Sequence, residues 1–383
     1  MPVQAKEKIR VLHIIARMNI GGPAVIITDL IENLDINRFE QKLLVGFCDE
    51  NEVDYLEQIH TDFSFARIDG FGRTINVFDD FVAFKQIRKE IRIFKPDIIH
   101  THTAKAGVIG RIASILSFVP SRRVHTYHGH LLHGYFPTFI TKLLVLLERI
   151  LAIKTDLILT VGSKVRKDLL DAKIGNESKL IVTFPGVKRS EEFDRINIRR
   201  ELSIERNRFV VTFVGRLAGI KRPERILEIG RILKKLDSNI KIVVVGGGEM
   251  LNSLKFSALK ENLDVEFLGW RNDVNRVFAA SDLAFLTSDN EGIPIVLIEA
   301  AMASLPLLST NVGSVVDIVK DEVNGYLLTK NPNDFANKML LIQENQALRE
   351  ILSANSRKLA DLVFSLNRMV SQHSEIYTNL IAN

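Results

Sequence analysis

Short apolar runs alternate with amphipathic stretches along the first half of the chain. IRVLHII (9–15), KLLVGF (42–47), PDIIHTH (96–102), RRVHTYH (122–128) and DLILTVG (156–162) read as buried strands. AVIITDLIENL and FDDFVAFKQIRKEIRIF, which lie between them, carry apolar residues at helical spacing. A polar segment, SEEFDRINIRRELSIERN (190–207), reads as a linker, and the pattern then restarts. FVVTFVG (209–215), KIVVVGGG (241–248), VEFLGW (265–270), LAFLT (283–287) and PLLST (306–310) form the second set of strands. Strand and helix in alternation imply parallel sheets. The expectation is an α/β protein of two Rossmann-like domains, 1–190 and 191–360, facing an inter-domain cleft. The last stretch, 361–383, reads as helical and is expected to pack back on the first domain.

Length agrees, since 383 residues exceed one ordinary core and suit two. With 46% apolar and 25% charged residues, the composition is that of a globular protein. A single cysteine, Cys48, excludes an internal disulfide framework. No charged-then-apolar leader precedes the first strand, so a cytoplasmic location is expected. Charge is placed unevenly. Residues 1–190 hold 27 Lys and Arg against 21 Asp and Glu, or +6, so the remainder carries −1 of the total +5. Within 98–180 the ratio sharpens to 12 against 5, which suits an anionic partner. Aromatic residues do not interleave with these charges, so nucleic acid is not expected. The apolar-heavy amphipathic stretch FPTFITKLLVLLERILAIK (136–154) fits either a core helix or peripheral docking on the inner face of a membrane.

Candidate chemistry concentrates in TSDNEGIPIVLIEA (287–300), where Glu291 and Glu299 stand eight positions apart around a Gly-Ile-Pro corner. Pro294 suits the first position of a helix. Glu291 then precedes that helix, and Glu299 lies about a turn and a half inside it. Free N–H groups and the positive end of the macrodipole at such a start favour phosphate. A second corner is GRLAGIKRP (215–223), where Arg216 and Lys221 follow a strand ending at Gly215. Arg grips phosphate oxygens with paired donors and Lys adds a compact charge. Two such corners, at Gly215 and Gly292, point to a diphosphate. Neither the dinucleotide fingerprint, broken at Leu251, nor a P-loop, broken at Ile220 and Arg222, is present.

GRLAGIKRPE, GWRNDV, SDNEGIPIVLIEA and STNVGSVVDIV, in this order, resemble the donor-binding domain of glycosyltransferase family 4, retaining enzymes of the GT-B fold. The IGGPA loop with Gly21 and Gly22, HTHTAKAGVIGR and HTYHGH are similar to the same family, so the resemblance spans nearly the whole chain. It implies transfer of a sugar from a nucleotide diphosphate-sugar, taken here as a UDP-sugar. The acceptor would be a saccharide or a polyprenyl-diphosphate-linked lipid in bacterial surface-polysaccharide synthesis. Glu291 would hydrogen-bond the donor sugar, Glu299 the ribose, and Arg216 with Lys221 the diphosphate. Gly292, Ile293, Pro294 and Ile295 would line the pyrophosphate, and Trp270 with Arg271 the base. His128 would sit over the sugar. Ser304 and Lys188 depart from the family's frequent glycine and aspartate, and leave the donor's identity open.

Six of nine histidines fall between 100 and 133: His100, His102, His125, His128, His130 and His133. A zinc site is not expected there, because no Asp, Glu or Cys lies among them. No Asp-x-Asp occurs in the chain, so leaving-group charge is expected to be met by Arg216, Lys221 and a helix start without a metal or other cofactor. The competing readings are a nucleotide-sugar epimerase of the same fold and a non-catalytic sugar-binding module.

Overall fold

The computed structural model describes residues 8–50, 52–129, 138–189 and 193–382. His130 and His133 lie outside them. The chain forms two compact units, one running up to Gly186 and resuming at Leu366, the other Val187–Ser365.

In the first unit, β1 (Ile9–Ile15), β2 (Phe39–Val45), β3 (Ser64–Arg67), β4 (Ile98–His102), β5 (Arg122–Tyr127), β6 (Leu157–Thr160) and β7 (Leu180–Val182) build one sheet. Its order is β3-β2-β1-β4-β5-β6-β7, and each neighbouring pair is parallel. The second unit holds β8 (Phe209–Val214), β9 (Ile240–Val245), β10 (Val265–Gly269), β11 (Leu283–Leu286), β12 (Leu307–Thr310) and β13 (Gly325–Leu328). Their order is β10-β9-β8-β11-β12-β13, again parallel. Both are doubly wound. The chain reverses its direction of travel between β1 and β4 in one unit and between β8 and β11 in the other, and ligands gather at the carboxyl ends beside such reversals.

The central strands coincide with the apolar runs of the sequence. The outer strands β3, β7 and β13 do not stand out there, because they have only 4, 3 and 4 residues and β3 is the polar SFAR. The segment 190–207 differs from a plain linker. It contains the helix Arg195–Glu201, with Ile198 and Ile204 buried. Arg195 and Arg199 both bind Asp282, at 2.6 and 2.7 Å, which fastens the helix to the second unit. The C-terminal helix Leu366–Ala382 belongs to the first unit, where Tyr377 reaches His100 at 2.6 Å and Gln372 donates to the Val182 carbonyl at 3.0 Å.

Helix Thr138–Ile153, which the sequence leaves open between a core helix and a surface-docking one, buries one face and exposes another. Glu148 faces inward and is nearly fully buried, accepting from Arg111 Nη2 at 2.6 Å and from the Tyr127 hydroxyl at 2.5 Å. Arg111 lies on helix Ala104–Ser117 and Tyr127 on β5, so one carboxylate ties three elements together. Phe139, Leu143, Leu146, Ile150 and Ile153 are left facing solvent, each more than half exposed. Removing one partner of a buried ion pair strands the other charge without water. Glu148→Ala should therefore cost about 3–5 kcal/mol of stability, read as a shifted midpoint in denaturant at unchanged slope.

Candidate functional site

In the second unit the reversal point carries the carboxylate motif. Lys221 ends a short 3-10 turn, Gly219–Lys221, after β8, and Glu291 lies on the loop after the neighbouring strand β11. Their ion pair closes the two loops on each other, with Lys221 Nζ 2.5 Å from Glu291 Oε1. Ser288 donates to the same oxygen at 2.6 Å. Glu291 is 8% exposed, so these donors take the place of water around its carboxylate. The family resemblance implies separate roles for Lys221 and Glu291. The structure couples them, and a phosphate reaching Lys221 would share it with Glu291.

Beside this pair, Asp289 binds Arg222, Arg225 (2.9 Å) and Lys330 (3.0 Å). Partial burial would raise its pKa, but hydrogen bonds from the three cations hold it well below the usual carboxylate range. The Asp289 amide also donates to the Ile220 carbonyl at 2.9 Å, and the Thr287 hydroxyl to Lys221 and Arg222 carbonyls at 3.1 Å. The loop is thus built rigid before any ligand arrives. These pairings were missed in the sequence, although KRPER and SDNE carry complementary charge, because 62 to 70 residues separate those two segments' bonded residues.

Helix Ile295–Met302 begins one residue later than the sequence suggests. Pro294 is its N-cap, with an extended backbone (φ −79°, ψ 102°), and Ile295 opens the helix. Gly292 accepts from the Ser314 amide at 3.0 Å, which anchors the corner. Ile293 and Pro294 are buried, Gly292 and Ile295 half-buried. Glu299, half-buried, sits in the second turn. Arg216 is largely exposed and only loosely paired with Glu249, at 3.4 Å. Trp270 is exposed, and Arg271 is held by a two-pronged bond to Asp273 at 2.8 and 2.6 Å.

The glycines that fail as a dinucleotide fingerprint have a different task. Gly246 and Gly248 adopt φ +138° and +147°, and an added Cβ would fall 2.0 Å from the Gly215 carbonyl and 2.5 Å from that of Leu217. Only glycine combines that backbone with that approach. Leu217 donates its amide to Gly247 at 2.8 Å and Gly246 to Gly269 at 2.8 Å, so the ends of β8, β9 and β10 are laced together under Arg216 and Trp270.

The first unit gathers histidines at the same end of its sheet. Gly21 caps helix Gly22–Asn33 after β1. His13 lies on β1, His100 and His102 on β4, His125 on β5, His128 just beyond β5 and His373 on the C-terminal helix. His13 and His102 meet at 3.2 Å, and His102 and His128 at 3.2 Å. His100 spends its nitrogens on Tyr377 and Thr126, both at 2.6 Å. His102, Thr126, His128 and His373 border a small cavity of about 10 Å³, large enough for about one water. Burial pushes His13 and His128 down to about 3 and His373 to about 4, and lowers His100, His102 and His125 well below the usual range. All are neutral at physiological pH. Thr103, next to His102, has φ +66°, a strained backbone for a β-branched residue. His13, His100 and His102 could be gathered as metal ligands, since one ring nitrogen from each lies within 4.8 Å of the others. His13 and His373, far from 100–133 in the chain, escaped the sequence reading.

These depressed values link to stability. The unfolded chain takes up protons below about pH 6.5 while the folded histidines do not, so stability is full above 6.5 and falls progressively as pH drops toward about 4 and 3. Each such histidine contributes a loss of about 1.4 kcal/mol per pH unit. Residues 187–365 contain no histidine and serve as an internal control. Hydrogen exchange corrected for intrinsic rate should show protection in the first unit falling between pH 7.5 and 5.5, with much less change in the second.

Residues 20–191 match Glycosyltransferase Family 4, and residues 194–359 match Glycosyl transferases group 1. The chain is 28% identical over 391 aligned positions to the UDP-Gal:alpha-D-GlcNAc-diphosphoundecaprenol alpha-1,3-galactosyltransferase of Escherichia coli, covering 98% of both chains. It is 30% identical to the O-antigen biosynthesis glycosyltransferase WbnH of Escherichia coli, across 69% of this chain and 72% of that one. Among solved structures, HepE of Anabaena in complex with UDP-glucose superposes with a TM-score of 0.80 at 22% identity, over 97% of this chain and 99% of that one. With a family match on each half and these relatives, the chain belongs to the family 4 glycosyltransferases and has the GT-B fold.

Proposed function

We propose that the protein transfers a sugar, with retention of configuration, from a UDP-sugar to a lipid-linked saccharide acceptor in bacterial surface-polysaccharide synthesis. The observation that carries the donor half is the Lys221–Glu291–Ser288 cluster at the reversal point, beside the Gly215 and Gly292 corners. Both donors use Glu291 Oε1, which leaves Oε2 to accept from a sugar hydroxyl. Arg216, exposed and weakly paired, is free to swing onto a diphosphate, and Lys221 adds charge as the bond breaks. Glu299 takes the ribose, the corner from Gly292 to Ile295 the pyrophosphate, and Trp270 and Arg271 the base. In the first unit, Gly21, Gly22 and His128 are the residues assigned to the sugar by the family resemblance. UDP and the lipid diphosphate acceptor are suggested by the relatives, whose names carry UDP-galactose, UDP-glucose and a diphosphoundecaprenol. In this reading no metal takes part.

Lys221→Ala would leave buried Glu291 unpaired, so isosteric changes discriminate better. Glu299→Gln should weaken UDP binding by about 1–3 kcal/mol, the worth of a charge-assisted bond. Glu291→Gln keeps an oxygen for Lys221 and Ser288, so UDP binding should change little while transfer falls about a hundredfold from lost positioning. Calorimetry with UDP, and initial rates with UDP-galactose and a GlcNAc-diphosphate lipid in the presence of EDTA, read both. Equal loss of UDP binding in the two variants would overturn the division of roles, and abolition of transfer by EDTA with recovery in Mg²⁺ would overturn the metal-free mechanism.

The exposed apolar face of helix Thr138–Ile153, set in the positive segment 98–180, supports docking on an acidic membrane surface. Among the described residues no helix is long and apolar enough to cross a membrane. Vesicles containing anionic lipid should bind the protein at low salt and release it as ionic strength rises. Leu143→Ser with Ile150→Ser, both on the solvent side, should reduce that binding about tenfold at unchanged stability, given the area removed. Equal binding by neutral vesicles would count against it.

A further inference from the structure

The histidines of the first unit form a directed chain. Gln41 Nε2 donates to the Ile31 carbonyl at 2.8 Å, which turns Gln41 Oε1 toward His13 Nε2 at 3.2 Å. An amide oxygen only accepts, so His13 carries its hydrogen on Nε2, and a neutral imidazole has one such hydrogen. His13 Nδ1 is then a bare lone pair, and His102 Nε2, 3.2 Å away, must donate to it. His102 Nδ1 is bare in turn and faces His128 Nε2 at 3.2 Å, which must also donate. The sequence of donors ends at His128 Nδ1. That nitrogen is an acceptor, buried and without a partner among the described residues.

We propose that Gln41, His13 and His102 are positioning residues that lock His128 in its Nε2–H tautomer, so that Nδ1 accepts a hydrogen bond from a hydroxyl of the glycosyl ligand. This rests on the reading of His128 as the residue over the sugar and adds which atom it uses. The burial that keeps the rings neutral preserves the one-hydrogen count on which the direction depends. A buried acceptor without a partner is costly unless something supplies the donor, and a sugar offers hydroxyls. The role as acceptor also differs from that of a proton donor: at neutral pH this histidine has no Nδ1 hydrogen to give. A metal on His13, His100 and His102 would compete with the chain, because it needs lone pairs that the His13–His102 bond and the two bonds of His100 already occupy.

The test is a long-range ¹H–¹⁵N correlation spectrum of the full-length protein labelled with ¹⁵N-histidine, recorded at pH 6.5–8. His13, His102 and His128 should all be neutral with hydrogen on Nε2. Gln41→Leu removes the anchor and should introduce the Nδ1–H form at His128, with kcat/KM for UDP-galactose falling about tenfold or more as the ligand contact is misaligned. A His128 carrying hydrogen on Nδ1 in the wild type, a charged ring in the chain, or stoichiometric zinc in the purified protein would overturn the relay. The wild-type spectrum decides this even if Gln41→Leu fails to fold. Should the tautomers be as stated while His128→Ala retains full transfer, the ligand half falls, and with it the reading of His128, whereas the relay stands.

Discussion

Both sheets are covered on their two faces, so polar groups at the buried carboxyl ends of their central strands must find partners within the protein. Water is not at hand to solvate them, and a lone charge there is costly. The two units meet this constraint differently. The second pairs charges, as in Lys221 with Glu291 and three cations around Asp289. The first uses rings that shed their charge and pass single hydrogens from one to the next. Each solution leaves a rigid surface with a few polar atoms unspent.

That difference suits the work expected of each half. A leaving diphosphate brings negative charge that grows as the bond breaks, and cations already fixed in place stabilise it without reorganising. A neutral sugar needs hydrogen bonds of defined direction instead. A fixed tautomer supplies direction at the cost of acid sensitivity, since every ring held neutral by burial is a proton the unfolded chain would bind. Glycine plays the same part on the backbone. Gly246 and Gly248 let three strand ends approach until their carbonyls and amides meet, which sets where Arg216 and Trp270 project.

Helix Thr138–Ile153 shows how tertiary contacts decide between two readings that amphipathicity leaves open. Leu151 and Ala152 pack inward, Arg111 and Tyr127 hold Glu148 inside, and Phe139, Leu143, Leu146, Ile150 and Ile153 stay on the solvent side. With its partners in place the buried carboxylate is satisfied, whereas losing one would strand a charge at a cost of about 3–5 kcal/mol.

The sequence alone determined the central strands, several of the helices and the order of the motifs. Period-2 and period-3.6 patterns, a proline beside a helix start and the eight-residue step from Glu291 to Glu299 are local and survive without a fold. The Gly-x-x-x-x-x-Lys turn and the family resemblance were legible for the same reason. What only the tertiary structure decided was pairing at a distance. Lys221 and Glu291 are 70 residues apart, His13 and His102 are 89, and His100 and Tyr377 are 277. Parallel strands joined by crossover helices, and a terminal helix laid against them, bring such residues side by side in the middle of a sheet, and no local pattern encodes which will meet. Short outer strands such as β7, stabilised by one neighbour and lacking a two-sided apolar environment, were invisible for the same physical reason. The direction of the histidine chain depends on where Gln41 finds the Ile31 carbonyl, a contact that exists only once β1, β2 and the helix Gly22–Asn33 have packed together.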